Sequence, residues 1–206
     1  MFLSFNGICK FYLHRFANMK HDEILKRLQE GNSRFMADKL EGKLQDSIRR
    51  DYLTQGQQPH TIVLSCADSR VVPELAFDVG LGELFVLRVA GNVANTSTIA
   101  SIEYAVAHCG SSLIVVLGHQ SCGAVTAALA GGDNGYNLNH LLAHVAPAIA
   151  SAPEGSSVND VVKVNAHKNV EALSSRSPII GNAVASGAVK IVPAYYNLDS
   201  GKVDFL

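Results

Sequence analysis

Two periodicities of apolar and polar residues run along the chain, one typical of buried strands and one of helices. Uninterrupted runs rich in β-branched residues predict strands at 61–66 (TIVLSC), 84–90 (LFVLRVA), 113–118 (LIVVLG) and 189–198 (VKIVPAYYNL). Apolar residues at helical spacing predict helices at 21–36, 96–110, 123–130, about 138–150 and 158–173. The polar stretch 37–60 ends in GQQPH and is predicted as a loop.

Strands that alternate with helices predict an α/β fold, with a central, mostly parallel β-sheet flanked by helices. In such sheets, ligands bind just beyond the carboxyl ends of the strands. That rule selects three loops, at 66–73 (CADSRVVP), 90–96 (AGNVANT) and 118–123 (GHQSCG). Residues 21–206 are predicted as a single domain and residues 1–20 as an N-terminal extension.

Composition excludes several function classes. Of the 206 residues, 48% are hydrophobic and 17% are charged, which is ordinary for a globular protein. The net charge of −1 gives no electrostatic reason to expect a nucleic-acid partner. No apolar run approaches the roughly 20 residues that span a bilayer, so no membrane partner is expected either. Four cysteines in a chain of this length do not form a disulfide framework, and we expect reduced thiols in a cytoplasm.

A histidine and a cysteine stand three residues apart in the third loop, GHQSCG. Alone, His119 and Cys122 are compatible with a metal site, a reactive thiol or unrelated side chains in a turn. Cys66 adds a third donor, because it ends another predicted strand whose carboxyl end meets the same sheet edge. Two thiolates and an imidazole suit zinc, and three protein ligands leave a fourth position for water, as in catalytic sites.

Asp68 and Arg70, in CADSR, are compatible with an ordinary Asp turn beside a solvated arginine. Next to a zinc ion, the Asp68 carboxylate can accept a hydrogen bond from bound hydroxide or bind the metal directly. An Arg70 fork would hold that carboxylate bidentately and keep it ionised. The pair therefore turns a predicted metal site into a predicted catalytic one.

Four motifs in this order and spacing, CADSR, RVAGN, SIEYAV and GHQSCGAV, resemble the β-class carbonic anhydrases. The resemblance extends from about residue 22 to the C-terminus. It implies an α/β catalytic domain with one Zn²⁺ per subunit and an N-terminal helical arm that reaches over a partner. It also implies a homodimer or a dimer of dimers, with the active site near the subunit interface.

The resemblance also assigns roles to individual residues. It implies zinc ligands at Cys66, His119 and Cys122, and a catalytic dyad of Asp68 and Arg70. It implies a substrate-binding set of Gln57, Phe85, Tyr104 and Gly123. The implied reaction is the reversible hydration of CO₂ to bicarbonate and a proton, by zinc-bound hydroxide that the dyad orients.

One departure concerns a regulatory bicarbonate pocket that some members build from a Trp, an Arg and a Tyr. This chain has no Trp, and the matching position is Val63, although Arg88 and Tyr196 remain. We therefore expect an open zinc site without that pocket.

Two alternative functions stay open at this point. One is a hydrolase that takes CS₂ or COS on the same zinc site, since their linear electrophilic carbon suits the same hydroxide. The other is a non-catalytic, zinc-stabilised regulatory module, which requires a fourth protein ligand on the metal.

Overall fold

The computed structural model describes residues 19–206, so the predicted extension at residues 1–20 lies outside the described residues apart from its last two. The strands are β1 Thr61–Ser65, β2 Leu84–Arg88, β3 Leu113–His119, β4 Lys190–Tyr196 and β5 Val203–Phe205. The helices are α1 His21–Met36, α2 Ser47–Leu53, α3 Pro73–Ala76, α4 Thr96–His108, α5 Gly123–Ala130, α6 Tyr136–Ala143, α7 Ala146–Ser151, α8 Val158–Arg176 and α9 Pro178–Ala185. None of the helices in this part of the chain combines the length and hydrophobicity needed to cross a bilayer.

The five strands form one sheet in the order β2-β1-β3-β4-β5. The first four strands are parallel, and β5 pairs antiparallel with β4. Every residue of β1 and β3 is buried, as the uninterrupted apolar runs predict for central strands covered on both faces. The predicted fold class, a mostly parallel sheet flanked by helices, is therefore confirmed.

Alternate residues of the central strands build two separate cores. On one face, Val63 and Val115 pack with Ile24 and Leu28 of α1. The opposite face packs against α4, α8 and α9 through a second set of buried residues: Ile62, Leu64, Ile102, Ile114, Val116, Ala166, Leu173 and Ile180. Because β1, β2 and β3 are parallel, the loops that follow them meet at the carboxyl edge of the sheet.

The stretch 37–60 is not the uniform loop that its polarity predicts, because it contains α2. Asp46 begins this helix by accepting a hydrogen bond from the Arg49 backbone N–H at 2.8 Å. The Arg49 guanidinium then donates to the Leu81 carbonyl at 2.8 Å. The helix is anchored by a contact 32 residues away in sequence, which local periodicity does not reveal.

The C-terminal half also differs from the predicted segments. The helix expected at 138–150 is two helices, α6 and α7, and Pro147 lies in the first turn of α7. The helix expected at 158–173 continues to Arg176, and Ser177 caps an additional helix, α9, by accepting from the Ile180 N–H. The final residues add β5 to the sheet edge.

Candidate metal centre

The carboxyl ends of β1 and β3 bring two thiols and an imidazole together. Cys66 directly follows β1, His119 is the last residue of β3, and Cys122 immediately precedes α5. Their ligand atoms all lie within 4.8 Å of one another, and all three residues are buried. The structure thus places the three predicted ligands at one point.

Hydrogen bonds at the two thiols favour one thiolate. The Cys122 thiol donates to the Cys66 sulfur, which is the main reason that the pKa of Cys66 is lowered to about 4. Backbone N–H groups of Asp68 and Gly91 also donate to Cys66 and act in the same direction. The shared proton and burial raise the pKa of Cys122. The pair therefore holds one anion already, and a divalent cation would displace the remaining proton.

His119 presents one nitrogen for a metal. Its Nδ1 lies 2.9 Å from the Gln120 carbonyl, to which it donates, and this fixes the tautomer. Its Nε2 is buried and has no hydrogen-bond partner among the described residues. A free imidazole nitrogen beside two thiol sulfurs is a donor set that zinc binds, so these residues fit zinc.

Asp68 and Arg70 form a fork beside the three ligands. Arg70 donates from Nε to Asp68 Oδ1 at 2.9 Å and from Nη2 to Oδ2 at 2.7 Å. These bonds lower the pKa of Asp68 well below its usual range, so the carboxylate is ionised at any ordinary pH. Asp68 Oδ2 lies 3.8 Å from Nε2 of His119. An oriented carboxylate therefore stands next to the metal-binding atoms.

Arg88 supports the loop that carries both Cys66 and Asp68. Its Nε donates to the Cys66 carbonyl at 3.0 Å and its Nη2 to the Asp68 carbonyl at 2.6 Å. Val63 is fully buried in the core, and Tyr196 is also buried there. The expected absence of the regulatory bicarbonate pocket is not tested by these contacts and stays a prediction.

Comparison with known proteins shows to which family the chain belongs. The sequence model of the family described as carbonic anhydrase matches residues 61–203, a range that includes all three candidate ligands. The chain belongs to the carbonic anhydrase family. The predicted enzyme class is thereby confirmed, and the residues at the site fit the zinc that β-class carbonic anhydrases use.

Individual relatives support the same assignment. Carbonic anhydrase 2 of Mycobacterium tuberculosis is 40% identical over 183 residues, which cover 86% of this chain and 88% of that protein. The carbonic anhydrase of Mycolicibacterium smegmatis is 40% identical over 185 residues, covering 87% and 90%.

Solved structures point to the β class. A Coccomyxa β-carbonic anhydrase in complex with acetazolamide matches with a TM-score of 0.71 at 29% identity, covering 84% of this chain and 82% of that one. One of two tetrameric β-carbonic anhydrases from Sordaria macrospora matches with a TM-score of 0.69 at 27% identity, covering 76% and 85%. The β-class resemblance seen in the motifs is therefore confirmed.

The residues expected to bind substrate do not all lie near Cys66 of the same chain. Gly123 begins α5, directly after Cys122. Phe85 pairs in register with Ile62, which places it about 13 Å along the strand from Cys66 at roughly 3.3 Å per residue. Tyr104 lies beside Phe85, with ring centroids 6.4 Å apart.

Gln57 is exposed and precedes the amino end of β1, at the opposite edge of the sheet from Cys66. Within one chain, the structure therefore brings together the ligands, the dyad and Gly123, but not Gln57, Phe85 or Tyr104.

Polar residues that the motifs did not single out hold the site loops in place. Gln120 Oε1 accepts from the Leu198 N–H at 2.8 Å and ties the third loop to the end of β4. Three asparagines of α8 bind backbone groups of the site loops: Asn159 at Ser121 in the third loop, and Asn165 at Gly91 and Asn169 at Ala94 in the second. Asparagine is a weak helix former, so its repetition in one helix is the sequence signal that points to such roles.

Proposed function

We propose that the chain catalyses the reversible hydration of CO₂ to bicarbonate and a proton, with zinc held by Cys66, His119 and Cys122. The observation that carries this proposal is the Asp68–Arg70 fork, whose carboxylate lies 3.8 Å from the buried, partner-free Nε2 of His119. When bound, zinc supplies Lewis acidity that makes water a nucleophile near neutral pH.

The side chains around the ligands have separate tasks. Asp68 Oδ2 accepts a hydrogen bond from the attacking water, which turns a lone pair of that water toward the CO₂ carbon. Arg70 keeps that carboxylate ionised and aimed through its two hydrogen bonds. Arg88 binds the backbone carbonyls of Cys66 and Asp68, so that this metal ligand and the catalytic carboxylate move as one unit.

The test is stopped-flow CO₂ hydration by zinc-loaded protein and its Asp68→Asn variant. Asparagine lacks the charge and one of the two acceptor oxygens of the carboxylate, so kcat is expected to fall by about 100-fold or more, a contribution typical of a side chain placed on the reacting proton. Asp51→Asn is the matched control, because Asp51 is an exposed carboxylate on α2. Unchanged turnover of Asp68→Asn at full zinc content would remove Asp68 from the mechanism.

The two alternatives make different predictions in the same assay. A hydrolase of CS₂ or COS would turn over one of those substrates faster than CO₂, and comparing the three rates decides between them. A zinc-stabilised regulatory module requires a fourth protein ligand. Family membership and the engagement of both Asp68 oxygens by Arg70 favour an enzyme with an open position.

We also propose that the chain works as a homodimer or a dimer of dimers in which β2 lies at the interface. β2 is an edge strand of the sheet, and Tyr104 beside it is 52% exposed. Phe85 and Tyr104 lie too far from Cys66 to face CO₂ in their own chain, but an interface there would offer them to a partner's site. The implied reach of the N-terminal arm over a partner belongs to the same proposal.

Mixing two variants that are each expected to lose activity tests this assembly. If Tyr104 serves the partner's site, mixed dimers of Asp68→Asn and Tyr104→Ala subunits contain one intact site. Random reassociation at equal amounts should then restore about a quarter of wild-type activity. No recovery, or a monomer in sedimentation equilibrium, would contradict the proposal.

A cytoplasmic location is proposed on the cysteines alone. Among the described residues, Cys66, Cys109 and Cys122 form no disulfide, which is the state that a reducing compartment preserves.

A further inference from the structure

The turn between His119 and Cys122 contains a residue in an unfavourable backbone conformation. Ser121 has φ +54°, in the left-handed region that residues other than glycine rarely adopt. This conformation determines how far apart the two ligands of the turn lie and in which direction each points. Something outside the turn must therefore hold Ser121 in place.

Two contacts hold the peptide groups on either side of Ser121. Its backbone N–H donates to Asn159 Oδ1 at 2.9 Å, and its carbonyl accepts from Arg70 Nη2 at 3.4 Å. The same Arg70 nitrogen donates to Asp68 at 2.7 Å. Asn159 and Arg70 therefore each hold one of the two peptide groups of Ser121, and Arg70 also connects this strained turn to the Asp68 carboxylate.

Asn159 is well anchored for this task. It lies in the first turn of α8, which packs against β3 so closely that a Cβ on Gly118 would meet Val162 at 2.8 Å. Asn159 is not needed to start the helix, because Ser157 and Asp160 already form its capping box. Its side-chain oxygen is thus committed to Ser121.

We propose that Asn159 is a positioning residue that keeps the half of the site carried by the turn, His119 and Cys122, in register with Cys66 and Asp68. The hydrogen bond at the Ser121 N–H holds the conformation of the turn, and that conformation determines the positions of the two metal ligands. The Ser121 carbonyl helps to keep Arg70 hydrogen-bonded to Asp68. The part that concerns Arg70 and Asp68 rests on the proposed function. The part that concerns the ligands does not.

The test compares Asn159→Ala with Asn159→Asp, which keeps an acceptor oxygen at the same position. Asn137→Ala is the matched control, because Asn137 is exposed and occupies the same second position of another helix, α6. Two readouts are needed besides activity: the visible absorption of the Co²⁺-substituted protein, which reports ligand geometry, and the rate of zinc release to a chelator.

Loss of one hydrogen bond at the turn is expected to speed zinc release about tenfold and to shift the Co²⁺ spectrum in Asn159→Ala. Asn159→Asp and Asn137→Ala should match the wild type in both readouts. The kcat of Asn159→Ala should also fall, with little change in its KM.

The proposal fails if Asn159→Ala keeps the wild-type spectrum and release rate. It also fails if Asn159→Asp behaves like Asn159→Ala, since the acceptor oxygen would then be irrelevant. Because both readouts are independent of turnover, a failure of CO₂ hydration itself would leave this comparison intact.

Discussion

Replacing Arg70 by lysine separates the charge of this residue from its fork geometry. The guanidinium makes two hydrogen bonds to the Asp68 carboxylate, at 2.9 and 2.7 Å, and a longer one to the Ser121 carbonyl. An ammonium keeps the charge but can make only one short bond to the carboxylate. The variant thus removes one of two charge-assisted bonds while the local electrostatics stay nearly constant.

The structure sets the size of the expected effect. A hydrogen bond to a charged group contributes about 1.5–3 kcal/mol. The Arg70 side chain is 52% exposed, so solvent screening leaves only a fraction of this contribution. Arg70→Lys should therefore lower kcat/KM about five- to tenfold, mainly through kcat. Arg70→Met removes the remaining bond and the charge, and a clearly larger loss is expected.

Stopped-flow CO₂ hydration by zinc-loaded protein measures both variants, with metal content determined for each. Arg50→Lys is the control, because Arg50 is an exposed arginine on α2. The reasoning is refuted if Arg70→Lys retains wild-type kcat/KM, or if Arg70→Met is no worse than Arg70→Lys.

The remaining predictions concern stability. The pKa of His60 is lowered to about 3, mainly by burial, so this residue contributes stability above pH 6.5 that is lost as the pH falls toward 3. Between pH 7.5 and pH 5, the free energy of unfolding of the wild type, measured with urea, should fall by about 2 kcal/mol more than that of His60→Asn. An equal fall in the two proteins would contradict the lowered pKa of His60. Gly118→Ala should lower Tm by roughly 4–8 °C, because its Cβ would meet Val162 at 2.8 Å. Gly123→Ala, where a Cβ meets nothing within 4 Å, should leave Tm unchanged.

The sequence by itself determined the central architecture and the donors of the metal site. Uninterrupted β-branched runs predict strands covered on both faces, and burial of every residue in β1 and β3 follows from that pattern. Because parallel strands end at one edge, Cys66 and the His119–Cys122 pair were expected to meet, and their ligand atoms lie within 4.8 Å of one another. These features depend on local periodicity and strand order, which a sequence carries directly.

Only the tertiary structure decided which other side chains reach the site. The bond from Ser121 to Asn159 spans 38 residues, and that from Ala94 to Asn169 spans 75. Such pairs depend on how α8 packs on the sheet, and no periodicity records a single hydrogen bond between distant residues. The same reason explains why motif resemblance grouped Phe85 with the ligands, whereas the register of β2 places it a strand length away.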